Sequence, residues 1–307
     1  MKKPSVAIVG AGKVGSALAV LLHRQGYPII GIASRSLASA LRLAEMLCAP
    51  ATNRPSDITS KAEVVFITTP DRVIRTVANQ IYEQNGFTSG QAVFHTSGAD
   101  LAAEVGVVRK AGAWAASLHP LQSFATVRMA MENLPGSYFA LEGDTEAQPI
   151  AEQIVQDLGG RSFTIAAQDK PLYHASACIA SNYLVSLMHL ATGLYPRFGL
   201  SREESFQALL PLIRGTLNNI GQLGPTEALT GPIVRGDAST LALHLDRLAR
   251  IGSAELELYC QLGLYTVKIA LEQKGISPEQ GDQLVDLLKR GINKQQLMNE
   301  EISDADL

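Results

Sequence analysis

Lys170, His174 and Ser181 stand at i, i+4 and i+11 in an otherwise apolar stretch, with Asn182 next to Ser181. At about 100° per residue the first three fall within about 40° of one another on a helix, and Asn182 borders that face. Such polar groups on an apolar helix are costly unless they pair or face a wet cleft. They can supply a proton and hydrogen bonds to a reacting oxygen. His119 precedes Pro120 at the end of an apolar run. The proline favours an extended backbone at His119, and an imidazole is well suited to move a proton near neutral pH. Ser97, followed by Gly98, offers its hydroxyl to a substrate oxygen or to a turn. Lys170, His119 and His174 are the candidate proton donors, and Asn182 and Ser97 the candidate oxygen holders. Arg235 lies in Thr230-Gly231-Pro232-Ile233-Val234-Arg235-Gly236-Asp237. In that glycine-bounded loop, with Thr230, it can clamp a carboxylate; Asp237 suits the N-cap of the next helix.

A second set of residues suits phosphates. Val6-Ala7-Ile8-Val9 runs into Gly10-Ala11-Gly12-Lys13-Val14-Gly15, and an apolar helical run follows. Gly10 allows a tight turn, Gly12 lets the backbone approach a pyrophosphate, and Gly15 lets the helix pack on the strand. The helix start, with the N–H groups of Lys13 and Val14, attracts negative charge. The next apolar run, Ile29-Ile30-Gly31-Ile32-Ala33, ends in Ser34-Arg35-Ser36. An NAD site wants Asp or Glu there for the ribose 2′-hydroxyl. A guanidinium between two hydroxyls suits a 2′-phosphate instead, which favours NADP over NAD. Thr69 and Pro70, after a later apolar run, join the expected cofactor residues.

These residues need a scaffold, and the 307-residue chain has room for two domains. With 46% hydrophobic and 18% charged residues, it reads as a soluble globular protein. A net charge of −3 points away from nucleic acid and from an anionic membrane as partners. Cys48, Cys178 and Cys260 are scattered and read as thiols in a reducing cytoplasm. Met1-Lys2-Lys3 ahead of apolar residues imitates a leader, but Lys13 interrupts the stretch and the glycines fit a nucleotide loop, so no signal peptide is expected. The apolar stretch 172–195 contains His174, Ser176, Ser181, Asn182, Ser186 and His189. It therefore reads as a buried helix rather than a membrane span. No histidine–carboxylate spacing suggests a metal site.

Strand-like runs at 62–71, 91–98, 113–118, 138–141 and 162–165 alternate with helical patterns at 37–47, 73–82 and 146–158. The order predicts a doubly wound, mostly parallel α/β sheet. Ligands bind beyond the carboxyl ends of such strands, where Thr68, Thr69, Ser97 and His119 would cluster. From Lys170 the strand-like runs stop. Helices are expected at 172–195 (ended by Pro196), 202–223, 239–250, 254–274 and 278–290, with Gly275 a stop and Ser277-Pro278 a start. The acidic tail 299–307 is expected to fray. The fold class is thus an N-terminal Rossmann α/β domain, residues 1–168, followed by an all-α domain, residues 169–307. The first helix of the second half is apolar enough to need hiding, inside its own domain or at a dimer seam.

The chain resembles bacterial Rossmann-like oxidoreductases that carry a helical C-terminal domain. They fall within the beta-hydroxyacid dehydrogenase-like group, which includes prephenate, ketopantoate and pyrroline-carboxylate reductases and the 6-phosphogluconate dehydrogenase-like C-terminal domains. The likeness rests on Gly10 to Gly15, His119-Pro120-Leu121-Gln122-Ser123-Phe124, Lys170 with Tyr173-His174, Ser181-Asn182-Tyr183, and Thr230-Gly231-Pro232 with Arg235-Gly236-Asp237. It implies nicotinamide-dependent hydride transfer at an interdomain cleft, in homodimers joined through the helical domain. His119 and Ser97 look like the substrate-facing residues of prephenate dehydrogenases. Hydroxyacid dehydrogenases place asparagine four residues after a catalytic lysine; here His174 holds that place after Lys170, and Asn182 comes later. The expected activity is reduction by NADPH of a small oxo acid, ketopantoate-like. The alternatives are an imine reductase of the pyrroline-carboxylate type and a non-catalytic NADPH-binding sensor.

Overall fold

A computed structural model describes residues 2–305, the side chains of 294–305 excepted. The chain divides into two compact units, Met1–Leu184 and Val185–Leu307.

The first unit alternates strands and helices: β1 (Val6–Val9), α1 (Lys13–Arg24), β2 (Ile29–Ala33), α2 (Leu37–Leu47), β3 (Ala51–Thr52), α3 (Ser56–Thr59), β4 (Val64–Ile67), α4 (Ile74–Glu83), β5 (Ala92–His95), β6 (Trp114–Pro120), α5 (Val127–Asn133), β7 (Tyr138–Gly143), α6 (Gln148–Asp157) and β8 (Arg161–Thr164). The strands form one sheet in the order β3-β2-β1-β4-β5-β6-β7-β8. Adjacent strands are parallel except β6 and β7. Runs such as Val6–Val9 and Val64–Ile67 are buried at every position, as expected where helices cover both faces. Ile8, Phe66, Phe94 and Leu141 pack with α1 and α6 on one face. Val9, Ile67, Val93 and Ala115 pack with α4 and a run of 3-10 turns, Ala102–Ala111, on the other.

The direction of the chain reverses between β1 and β4, the place where such sheets open a crevice. Along the carboxyl edge, register pairs Val9 with Ile67, Ile67 with His95, His95 with Ser117 and Ser117 with Glu142. One row therefore turns from apolar to polar as it crosses the sheet. The sequence patterns missed β3, α3, α5 and the 3-10 run, which are too short or too irregular to show a period.

The expected helix over 172–195 is interrupted. It comprises α7 (Lys170–Cys178), a π-turn at Ile179–Tyr183, and α8 (Leu184–Leu194), ending in a 3-10 turn, Tyr195–Phe198, that contains Pro196. A π-turn advances each residue by less than an α-helical step. The angle expected between Lys170 and Ser181 or Asn182 is therefore not realised. Nor is the helix hidden within the chain: Leu172 is 75% exposed, Ile179 61% and Tyr183 60%. The segment Ala167–Phe198 is long and apolar enough, by length and composition, to cross a membrane. The compact units part at Leu184/Val185, later than the pattern boundary at 168/169, so α7 and the π-turn belong to the first unit.

The second unit continues with α9 (Arg202–Leu223), α10 (Ala238–Leu248), α11 (Ser253–Glu272) and α12 (Pro278–Ala305). Ser201 and Glu204 form a capping box at α9, and Asp237 caps α10 by accepting from the Thr240 N–H at 3.0 Å. Leu241, Leu245, Cys260, Leu284 and Leu288 make the core. The tail expected to fray from Asn299 is helical to Ala305; its last two residues lie outside the described residues.

Candidate functional site

The glycine loop sits at the β1–β4 crevice. Gly10 has φ +118°, and a Cβ there would stand 2.8 Å from the Thr68 backbone. A Cβ on Gly15 would collide with the Gly10 carbonyl oxygen and with Thr68 Oγ1. Thr68 Oγ1 closes the loop by donating to the Gly10 oxygen at 2.8 Å. Gly12 is the N-cap of α1, with no side chain capping the helix and open space where its Cβ would be. The first N–H groups of α1, from Lys13 and Val14 onward, thus lie at a clear approach for an anion. Thr69 Oγ1, just past β4 and beside Pro70, is buried without a hydrogen-bond partner, and an orphaned polar atom of this kind calls for a ligand or water. Ser34, Arg35 and Ser36 follow β2, with Arg35 exposed. Ser36 has another duty: its oxygen caps α2, accepting from the Ser39 N–H at 3.3 Å. These residues fit a dinucleotide with a 2′-phosphate, held by the loop, the α1 terminus and Arg35.

Further along the same edge, the end of β6, the loop after β5 and the start of α7 bring two imidazoles together. His119, on β6, meets the Tyr173 hydroxyl through Nδ1 at 2.6 Å. Its ring lies 6.5 Å from that of His174. Gly98, after β5, lets both close in: a Cβ there would stand 2.8 Å from His119 Nε2 and from His174 Cδ2. Burial, followed by the charges of His174 and Lys170, lowers the His119 pKa to about 4. Burial pushes the Tyr173 hydroxyl up to about 12. Near pH 7 the imidazole is neutral and the phenol protonated. The Tyr173 hydroxyl can then donate to Nδ1, an arrangement that leaves the ring proton on Nε2.

Behind this cluster lies a second polar layer. His95 is fully buried; its Nε2 donates to the Leu101 carbonyl at 2.9 Å and its Nδ1 accepts from the Ser97 N–H at 3.2 Å. Burial, then the Lys170 charge, lowers its pKa to about 3, and with both ring nitrogens bonded to the backbone it holds the loop after β5. The Ser97 hydroxyl oxygen accepts from the N–H groups of Ala99 at 3.3 Å and Asp100 at 3.0 Å. It holds a turn and is 4% exposed. Lys170 is 1% exposed and pairs with Glu142 at 3.4 Å. Burial lowers its pKa against the pull of Glu142.

The structure therefore brings His119, His174, Ser97 and Lys170 into one neighbourhood. Asn182 falls in the exposed π-turn. Thr230 and Arg235 belong to the second unit, where both are exposed and Arg235 ends a 3-10 turn beside Asp237. Sequence reasoning gave no role to Gly98 or Glu142 and named Tyr173 only within a motif. A carboxylate in an apolar strand was a signal available for Glu142. Among the described residues no group of three or more metal-ligating side chains occurs.

The Rossmann-like domain family matches residues 1–120. A domain of unknown function, DUF2520, matches residues 137–266. No curated protein matches the chain. Among solved structures, protein TM1727 from Thermotoga maritima is 28% identical, with 95% of this chain and 99% of that one covered and a TM-score of 0.65. A reductive aminase from Aspergillus terreus, solved with NADPH and ethyl-5-oxohexanoate, is 18% identical, with 95% of each chain covered and a TM-score of 0.60. A pyrroline-5-carboxylate reductase from Coxiella burnetii is 14% identical, with 96% of this chain and 98% of that one covered and a TM-score of 0.55. At such identities the last two likenesses establish the fold.

Proposed function

We propose that this chain, a Rossmann-like domain continued by a DUF2520 domain, is an NADP-dependent reductase of a small carbonyl compound, best matched by an oxo acid. One observation carries the reading. The uncapped α1 terminus at Gly12 and the His119–Tyr173 pair lie on one edge of the sheet, beyond the ends of parallel strands. The fold it shares with a reductive aminase solved with NADPH and with a pyrroline-5-carboxylate reductase supports it.

Gly10, Gly12 and the first N–H groups of α1 would hold the pyrophosphate, and Ser34 and Arg35 the 2′-phosphate. Thr69 Oγ1 would find its missing partner on the cofactor. When bound, NADPH supplies a hydride to the substrate carbon. His119 Nε2–H hydrogen-bonds the substrate oxygen as negative charge develops there, oriented by Tyr173 at Nδ1; the neutral imidazole keeps its proton, and the alkoxide left by hydride transfer takes one from water. One positioned donor to a developing oxyanion contributes roughly 10²–10³ in rate.

NADPH oxidation, followed by absorbance against a panel of branched oxo acids and cyclic imines, tests this. Turnover of an oxo acid supports it; turnover of imines alone selects the second reading. Tight NADPH binding with no turnover across the panel leaves a sensor.

The same reading includes a homodimer. The exposed apolar side chains of α7 and α8, among them Leu172 and Val185 at 75% and 68% exposure, suit a second copy of the chain. Ser176, Ser181 and Ser186 are interspersed among them, a pattern that suits protein packing better than lipid. Light scattering would show a dimer, and Leu172→Glu with Val185→Glu would weaken it.

A further inference from the structure

Of the nine residues of α7, one is buried, and it is a lysine. A helix is normally anchored by apolar side chains. Here Leu172 faces out at 75% exposure while Lys170 sits at 1%. An ammonium gains nothing from an apolar interior and stays charged there only when paired. Its partner is Glu142 Oε2, at 3.4 Å. The same oxygen accepts the Ala102 N–H at 2.7 Å, so Glu142 ties the 3-10 run over the sheet to the start of α7. No side chain caps α7, and Pro171 lacks a donor in its first turn. The Lys170–Glu142 contact is the polar tie at this end. Tyr173 and His174 follow at i+3 and i+4, on the face that Lys170 anchors. Asp71 and Asp100 add to the attraction on the lysine, while His95 and His119 feel its charge.

We propose that Glu142 and Lys170 form a positioning pair that sets the first turn of α7, and through it the Tyr173–His119 hydrogen bond, and that Lys170 gives no proton to the substrate. The kinetic consequence rests on the reductase reading; the structural one does not.

The test compares Glu142→Gln, Lys170→Met and the double variant. Glutamine keeps an acceptor for the Ala102 N–H but leaves the buried ammonium without a counter-charge. Removing one partner of a buried pair is far more harmful than removing both. Glu142→Gln is expected to lower kcat by about 30-fold with little change in KM for NADPH, and the double variant to recover about tenfold of that loss. Nitrogen-15 NMR of labelled histidine supplies a readout that needs no turnover. The Nε2–H tautomer of His119 is expected in the wild type, a mixture in Glu142→Gln, and its return in the double variant. Should Glu142→Gln not fold, Glu142→Asp, which shortens the reach, shifts both readouts the same way by less. An unchanged kcat and tautomer in a folded Glu142 variant would reduce the pair to a merely structural tie and overturn the proposal. Equal inactivity of Lys170→Met and the double variant, with the His119 tautomer intact, would make Lys170 the donor and overturn it too. A wild type that turns over no carbonyl or imine sinks the reductase reading; the tautomer comparison still decides the pair.

Discussion

The Tyr173 hydroxyl reaches His119 Nδ1 at 2.6 Å across 54 residues of sequence. The bond joins the first helix after the sheet to the end of β6, and with the hydroxyl as donor it leaves the His119 proton on Nε2. Tyr173→Phe removes the donor and frees the imidazole to exchange tautomers. The expected fall in kcat is about 10²-fold, near the lower end of what one positioned donor to a developing oxyanion contributes. NADPH affinity is expected to stay unchanged, because Tyr173 is not among the residues that would hold its phosphates. Steady-state kinetics beside a binding titration check both halves.

Gly98 makes room for that arrangement. A methyl group there would stand 2.8 Å from His119 Nε2 and Cε1 and from His174 Cδ2. No backbone strain is involved, so Gly98→Ala acts by displacing the two rings. The variant is expected to fold, to bind NADPH normally and to lose most of its turnover. Normal turnover would mean that neither ring faces the substrate.

Two imidazoles, His95 buried and His119 half-buried, make the protein acid-sensitive. Unfolded, His95 and His119 take up protons near pH 6.5. Folded, they resist until about pH 3 and about pH 4 respectively. Between these limits the unfolded state binds more protons, so stability falls as the pH drops below about 6.5. Each imidazole contributes a slope of about 1.4 kcal/mol per pH unit. Urea midpoints measured from pH 7 to pH 4.5 should decline, and His119→Asn should reduce the slope. A flat profile would show that the rings are protonated in the folded state.

The sheet was legible because its strands are continuous apolar runs and its helices carry clear periods; α2 and α9 appear at the residues their patterns predict. The glycine loop was legible because backbone needs dictate residue type at Gly10 and Gly15. The polar helix departs from its sequence pattern in two ways. The α-helical angle joining Lys170 to Ser181 assumed a regular helix, and the π-turn at Ile179–Tyr183 removes it. The partner of Lys170, Glu142, lies on β7, and strand order cannot be read from one sequence. Ser97, read as serving a substrate oxygen or a turn, holds a turn, and Ser36, read as a cofactor residue, also caps a helix.

The 2′-phosphate reading rests on Arg35. Charge-assisted bonds of this kind contribute about 1.5–3 kcal/mol, so Arg35→Ala should weaken NADPH binding by roughly 10- to 100-fold and leave NADH binding almost untouched. The preference should also fade as salt is raised. Calorimetric titration of NADPH and NADH into the wild type and Arg35→Ala tests the account most directly. The account predicts tight binding of NADPH by the wild type, weak binding of NADH, and convergence of the two in the variant. Heat from neither coenzyme with folded protein, or equal affinities that Arg35→Ala does not change, would contradict it.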